Sequence, residues 1–330
     1  MNSLINGISF IVITRNEKFS IRKCLESISK IQMENCEIIC VDSGSTDSTV
    51  EIIKRYKKKM GNLSLFQIQG YANAAIGRNI GIKKSTKNLL YFIDGDVEIK
   101  REFLWAALDA LRKKQVGAVI GKLAEYQYDS RYKNVLAKID DRYNIKKQKY
   151  IYSSGGIFIT KRSVINKIGY FDEGLDQAED WDFTLKLTTK FKMLAIHELM
   201  GIHHTIPYHE WGRLKNDIVS SQRLVPFGSV VVKNMITNKK GVLNLLWMNK
   251  GFCYGFLFYM IFLIGLIFYT YKNMFLVFFI VGVFDILYGI LMKRNLIFRL
   301  YIHYFYPLFV IMSALISKAK SLKWDVIEID

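Results

Sequence analysis

Cysteine is scarce in this chain. Its 330 residues include four, Cys24, Cys36, Cys40 and Cys253. None has the paired spacing of a metal site. Cys36 and Cys40 flank an apolar run and read as core residues rather than as a disulfide or a ligand pair, so nothing argues for an oxidising compartment. A signal peptide is not expected either: the first residues carry no basic run, and Asn6, Gly7 and Ser9 break the first apolar stretch, which reads as a strand. Acid is in deficit, with 29 Asp and Glu against 47 Lys and Arg, for a formal net charge of +18. That balance suits anionic partners: nucleic acid, an acidic membrane surface or phosphate-bearing substrates. Charge is absent from residues 252–271 and nearly so from 274–292, where Asp285 is the one acid.

What is present is alternation. Residues 8–13, 37–41, 63–67, 89–93 and 116–120 read as apolar strands. Helical spacing lies between them: Ile21, Cys24, Leu25 and Ile28 after Ser20; Val50, Ile53 and Tyr56 within 48–56; then 78–84 and 102–113. Strand–helix alternation predicts an α/β fold, a doubly wound, mostly parallel, nucleotide-binding sheet. Residues 121–150 are polar, basic and rich in tyrosine, and read as a loop or helical excursion near an acceptor site. A strand at 157–160 follows the Gly155-Gly156 pair, then a helix from Ser163.

The chemistry gathers where strands end. Residues 91–96, Tyr-Phe-Ile-Asp-Gly-Asp, deliver Asp94 and Asp96 to a strand's C-terminal end, where open α/β sheets bind ligands. Hard divalent cations take such carboxylates and complete their shell with substrate phosphates. Thr14 to Glu17 and Asp42 to Asp47 follow the first and second strands and face the same crevice. Asp42 could accept from a base or ribose, whereas Asp47 reads as a helix cap. Gly77-Arg78-Asn79 reads as a helix start, where a cation and free amides suit a diphosphate. Glu179-Asp180-Trp181-Asp182 precedes a helix. Its acids could be caps, or one could take a proton from an acceptor hydroxyl.

The ordered series ITRNE, VDSGSTDST, GRNIG, YFIDGD, SSGGIFITKRSV and GYFDEGLDQAEDWDFTLKL, over roughly residues 7–205, resembles the family 2 glycosyltransferases of the GT-A fold. The resemblance implies an inverting, metal-dependent transfer from a nucleotide-sugar donor, with Mg²⁺ or Mn²⁺ as cofactor. It puts Thr14 and Glu17 in a nucleotide-contacting loop and Asp42 at the base. Asp94 falls by the donor sugar or ribose, Asp96 on the metal and Asp180 at the general base, beside Glu179; Arg78 would help at the diphosphate. His203 and His204 are both candidates to complete the metal site, and on a strand only one would face the cleft. Two positions depart from the family's habit: Ile13 stands where proline is common and Arg15 where tyrosine is. The Gln-x-x-Arg-Trp motif of processive synthases is also absent.

Together these features predict a GT-A domain over residues 1–225 and a membrane-associated helical region over 226–330. That region would hold a hairpin at about 252–292 and a third apolar segment at about 300–317. The expected protein is a multi-pass protein of the cell membrane with a cytoplasmic catalytic domain. It would act on a glycan or lipid-linked acceptor, such as a polyprenyl phosphate or polyprenyl-linked glycan, in making cell-surface polysaccharide or glycoprotein glycans. Nucleic acid is not an expected partner, because strand-end carboxylates repel phosphate unless a metal intervenes. Oligomerisation stays open. The alternative is an inactive membrane scaffold that keeps the nucleotide-binding fold.

Overall fold

The computed structural model describes residues 7–207, 224–248 and 323–330. Chain contacts divide the protein into two units, residues 1–207 with 319–330, and residues 208–318.

In the first unit, strand β1 (Ile8–Thr14) is buried along its whole length and lies at the centre. It pairs in parallel with β2 (Cys36–Asp42) on one side and β4 (Leu89–Asp94) on the other. Such two-sided burial is what its near-continuous apolar run requires. β3 (Leu63–Gly70) extends the parallel set beyond β2. Helices α1 (Ile21–Ser29), α2 (Thr49–Lys57), α3 (Ala74–Lys84) and α4 (Arg101–Leu111) connect the strands. α1 buries Ile21, Cys24, Leu25 and Ile28, the stripe its spacing predicts. Cys24 and Cys40 are buried, Cys36 is half-buried, and all three are free thiols.

The rest of the sheet is mixed. β5 (Val97–Ile99) follows Asp96. β6 (Val116–Tyr128), β7 (Val135–Ile139), β8 (Lys149–Ile151), β9 (Phe158–Lys161) and β10 (Lys192–Thr205) complete this side, with α5 (Arg162–Ile168) and α6 (Glu179–Thr188) between β9 and β10. The sheet order is β11-β3-β2-β1-β4-β9-β6-β10-β5, with β7 on β6 and β8 on β10. β11 (Trp324–Ile329) pairs antiparallel with β3. Residues 121–150 are therefore not a helical excursion. β6 continues to Tyr128 because parallel pairing with β10 as far as Gln127, and antiparallel pairing of Tyr128 with β7, satisfies its backbone despite its polar side chains.

In the second unit, α7 (Leu224–Met235) and α8 (Lys239–Met248) pack together. Asn238 Oδ1 caps α8 by accepting the Gly241 amide at 3.0 Å. Val230, Val242 and Leu245 are buried.

The membrane expectation does not hold. Among the described residues no helix is long and apolar enough to cross a membrane. The longest of them, α7, has 12 residues, a rise of about 18 Å against a hydrocarbon core of about 30 Å. The apolar segments at 252–271, 274–292 and 300–317, with Asp285, lie outside the described residues.

Tyr91 occupies the middle of β4 at 0% exposure, tilted against the rings of Phe10 and Phe103. Its hydroxyl has no hydrogen-bond partner, so a polar group is desolvated without return. Tyr91→Phe is expected to stabilise the protein by about 1–2 kcal/mol, read as a higher urea midpoint with an unchanged slope.

Candidate active site

The site lies in the first unit, where β1, β2 and β4 end. Its two leading loops are tied together. Asn16 donates its amide to Ser45 Oγ at 2.8 Å, and its Oδ1 accepts the Thr46 amide at 2.8 Å. Glu17 donates its amide to Thr49 Oγ1 at 2.8 Å. Asp47 accepts the Thr49 amide at 3.0 Å, but the N-cap of α2 is Ser48, so Asp47 stands one residue before the cap position expected of it. Asp42 is fully buried. It accepts the amides of Gly44 (3.1 Å) and Ser45 (2.9 Å), the Gln67 side chain (3.1 Å) and the Ser45 hydroxyl. Three of those bonds fall on Oδ2 and only the Ser45 hydroxyl on Oδ1, so Asp42 organises the loop and keeps acceptor capacity on Oδ1. Thr14 Oγ1 is buried beneath Gly95 with no partner.

Arg78 joins the two acidic motifs. The helix expected to begin at Arg78 begins at Ala74 instead, with Asn73 Oδ1 accepting the Ile76 amide at 2.9 Å as its cap. Arg78 is therefore in the second turn, away from the free N-terminal amides. Its side chain is 4% exposed; it donates to Asp94 Oδ1 at 2.9 Å and to Glu179 Oε1, and lies over the Phe171 ring. The Gly155-Gly156 pair has its reason here. A Cβ on Gly156 would collide with the guanidinium, and one on Gly155 would stand 2.9 Å from the Tyr143 hydroxyl.

Asp180 follows Glu179 in the first turn of α6. The residue before them, Ala178, takes a left-handed φ of 62°, which alanine adopts at a cost. Asp180 Oδ1 accepts the Trp181 amide at 2.7 Å. Burial first, then the neighbouring Glu179, raises its carboxyl to about 7. Burial also raises Glu179 and Asp94, although Arg78 pulls both down. Burial and then Asp96 push Glu17 up to about 8, against a 2.5 Å hydrogen bond from Ser20.

Asp96 behaves differently. Burial works to raise it, but the His203 imidazole prevails and holds it below the usual range. His203 Nε2 is 2.9 Å from Asp96 Oδ2, and its Nδ1 is 3.3 Å from Glu125 Oε2. The His204 ring faces elsewhere. Its Nδ1 meets the Tyr128 hydroxyl at 2.9 Å, its Nε2 is 3.6 Å from Glu98, and burial and then Lys23 lower its pKa. Glu125, Gln67 and Tyr143 carry no motif and went unread in the sequence. For Glu125, the only available hint was an acid in an otherwise basic stretch.

Among the described residues no group of three or more His, Cys, Asp or Glu side chains is set to hold a metal ion. The donor chemistry nonetheless fits a hard divalent cation, because Asp96 Oδ1 is buried without a hydrogen-bond partner and stands on the carboxylate that His203 faces.

Residues 9–169 match the sequence profile of glycosyl transferase family 2. The protein is a glycosyltransferase, and just under half of it is similar to family 2. It is 24% identical over 222 residues to "Glycosyltransferase AglE" of Haloferax volcanii, covering 64% of this chain and 71% of that one. It is 27% identical over 232 residues to "Poly(ribitol-phosphate) beta-glucosyltransferase" of Bacillus spizizenii, covering 65% of this chain but only 36% of the relative. The fold is similar to that of S. aureus TarS 1–349 in complex with UDP-GlcNAc, with a TM-score of 0.55 and 21% identity over 70% of this chain and 67% of that chain. At that identity the likeness carries the fold.

Removing Arg78 leaves Glu179, 7% exposed, as a buried charge without its partner. Arg78→Leu is expected to lose about 3–5 kcal/mol of stability at pH 8, with a smaller loss in acid, where Glu179 is neutral. Adding Glu179→Leu should recover most of it. Urea denaturation of the single and double variants measures both effects.

Proposed function

We propose that this glycosyltransferase moves a sugar from a uridine-diphosphate sugar to a hydroxyl of a glycan or polyol-phosphate acceptor, with inversion and with the help of a divalent cation. The observation that carries this reading is Arg78: one buried guanidinium binds Asp94 of the Asp-Gly-Asp turn and Glu179 beside Asp180, joining a donor side to an acceptor side. The UDP-GlcNAc held by TarS supports the donor class, and the name of the Bacillus relative supports a phosphate-bearing polymer as acceptor. The +18 charge suits such an anion.

In this mechanism Asp180 takes the proton of the acceptor hydroxyl. Oδ1 is occupied by the Trp181 amide, so the proton goes to Oδ2. The acceptor oxygen attacks the anomeric carbon as the diphosphate leaves from the opposite face, and no covalent enzyme intermediate forms. Arg78 keeps Asp94 and Glu179 apart and in place. Thr14, Glu17 and Asp42 belong to the loops proposed to meet the nucleotide. Asp96 and His203 would hold the cation, which when bound supplies charge to neutralise the departing diphosphate. His204 has its ring turned to Tyr128 and is left out of that set.

Glycosyl transfer is tested with purified full-length protein, Mn²⁺, a panel of UDP-sugars and three acceptors: a soluble glycan, poly(ribitol phosphate) and a polyprenyl phosphate. UDP release that depends on acceptor, with an inverted anomeric product, is expected. Donor hydrolysis indifferent to every acceptor would sink the acceptor reading, and a retained anomeric configuration would remove the role of Asp180.

A base raised to about 7 is half ionised there, so kcat/KM should climb through pH 7 and level off above it. Asp180→Asn should lower kcat by roughly 10²–10⁴-fold and leave UDP affinity unchanged by calorimetry. Asp96→Asn should instead abolish the Mn²⁺ dependence of UDP binding while the melting temperature without metal holds.

A further inference from the structure

Glu125 has no place in the motif series, yet among the described residues it is one of the most enclosed carboxylates, 2% exposed at the far side of His203. β6 and β10 run parallel with Glu125 in register with His203, and β5 places Val97 opposite His203 on its other edge. The imidazole is thus set between two carboxylates, Asp96 at 2.9 Å from Nε2 and Glu125 at 3.3 Å from Nδ1.

Glu125 is itself immobilised. Gln127 donates to its Oε1 at 2.6 Å and Arg142 to its Oε2 at 3.0 Å. Arg142 is anchored in turn by its amide, which donates to the Leu123 carbonyl at 2.7 Å. A carboxylate so held can only accept, so the His203 Nδ1 that faces it carries hydrogen. Asp96 Oδ2 at 2.9 Å from Nε2 is an acceptor as well, so without a cation both nitrogens carry hydrogen; a cation at Asp96, whose Oδ1 has no hydrogen-bond partner, takes the place of the Nε2 hydrogen, and Nδ1 keeps its own.

The geometry points to Glu125 as a positioning residue that fixes His203 as its Nδ1–H tautomer, so that Nε2 and the Asp96 carboxylate together face a divalent cation. This rests on the metal-assisted reading above. It goes further in naming which nitrogen meets the cation and which side chain sets it. A ligating histidine held through its second nitrogen by a carboxylate is oriented before the cation arrives, and loss of such a partner typically weakens metal binding by roughly 10–100-fold.

The test is calorimetric titration of Mn²⁺ into the full chain, comparing wild type, Glu125→Gln and Asp96→Asn, with melting temperatures recorded without metal. Glu125→Gln is expected to weaken Mn²⁺ by roughly 10–100-fold in a folded protein, and Asp96→Asn to abolish binding. If Asp96→Asn loses Mn²⁺ while Glu125→Gln binds as wild type does, the positioning role is overturned and the metal reading stands. If wild type takes up no Mn²⁺, or Asp96→Asn binds it unchanged, both fall together. Should Glu125→Gln not fold, ¹⁵N spectra of wild type loaded with Mg²⁺ decide. Hydrogen on His203 Nδ1 with Nε2 bare supports the assignment; hydrogen on Nε2 overturns it.

Discussion

The arrangement of this site depends on keeping like charges together. Glu17, Asp94, Asp96, Glu125, Glu179 and Asp180 come from separate parts of the chain and meet at one end of the sheet. Left alone, they would repel each other and resist desolvation. Arg78 holds Asp94 and Glu179 from within the protein, and His203 stands between Asp96 and Glu125. Those not directly paired with a cation respond by protonation: Glu17 rises to about 8 and Asp180 to about 7. A site built in this way destabilises the fold at neutral pH, and such a conflict with the needs of packing is a mark of function.

The fold supplies the fixed frame that makes such crowding tolerable. β1 is buried on both faces, and β2 and β4 are held to it in register, Thr14 beside Asp42 and Ile13 beside Asp94. The loops that carry Glu17 and Asp47 then bond to one another rather than to water. Loop 171–175 is fastened to α3 through Asn73 and Asn79, and to β11 through Trp324, which donates to Glu173 at 3.1 Å. The short path from that loop to Asp180 means that α3 sets the position of both Arg78 and the acid it faces.

Much of this was legible in the residues. Apolar runs bounded by turn formers gave the parallel strands, and helical spacing gave α1 and α2. A motif ending in Asp-Gly-Asp could be put at a strand end because its apolar stretch stops there. What was not legible has a consistent cause. α3 starts four residues before Arg78 because the cap is Asn73, and the helix is buried on nearly every side, which leaves little amphipathic pattern to read. β6 runs on as far as Gln127 because β10 pairs with it, a contact between residues nearly eighty positions apart. The membrane assignment came from apolar length alone, and the helices described here are too short to carry it.

By itself, then, the sequence determined the α/β class, the order of the strands that end in carboxylates, the burial of Cys24 and Cys40 and the chemistry of the acidic motifs, since all of these follow from local periodicity and composition. Only the tertiary structure decided which charges meet. That Arg78 binds Asp94 and Glu179, that His203 rather than His204 turns to Asp96, and that Glu125 lies behind it are consequences of strand register and helix packing. An ion pair between distant residues leaves no period in the chain, because its energy depends on the distance between two atoms and not on the spacing of their residues along the backbone.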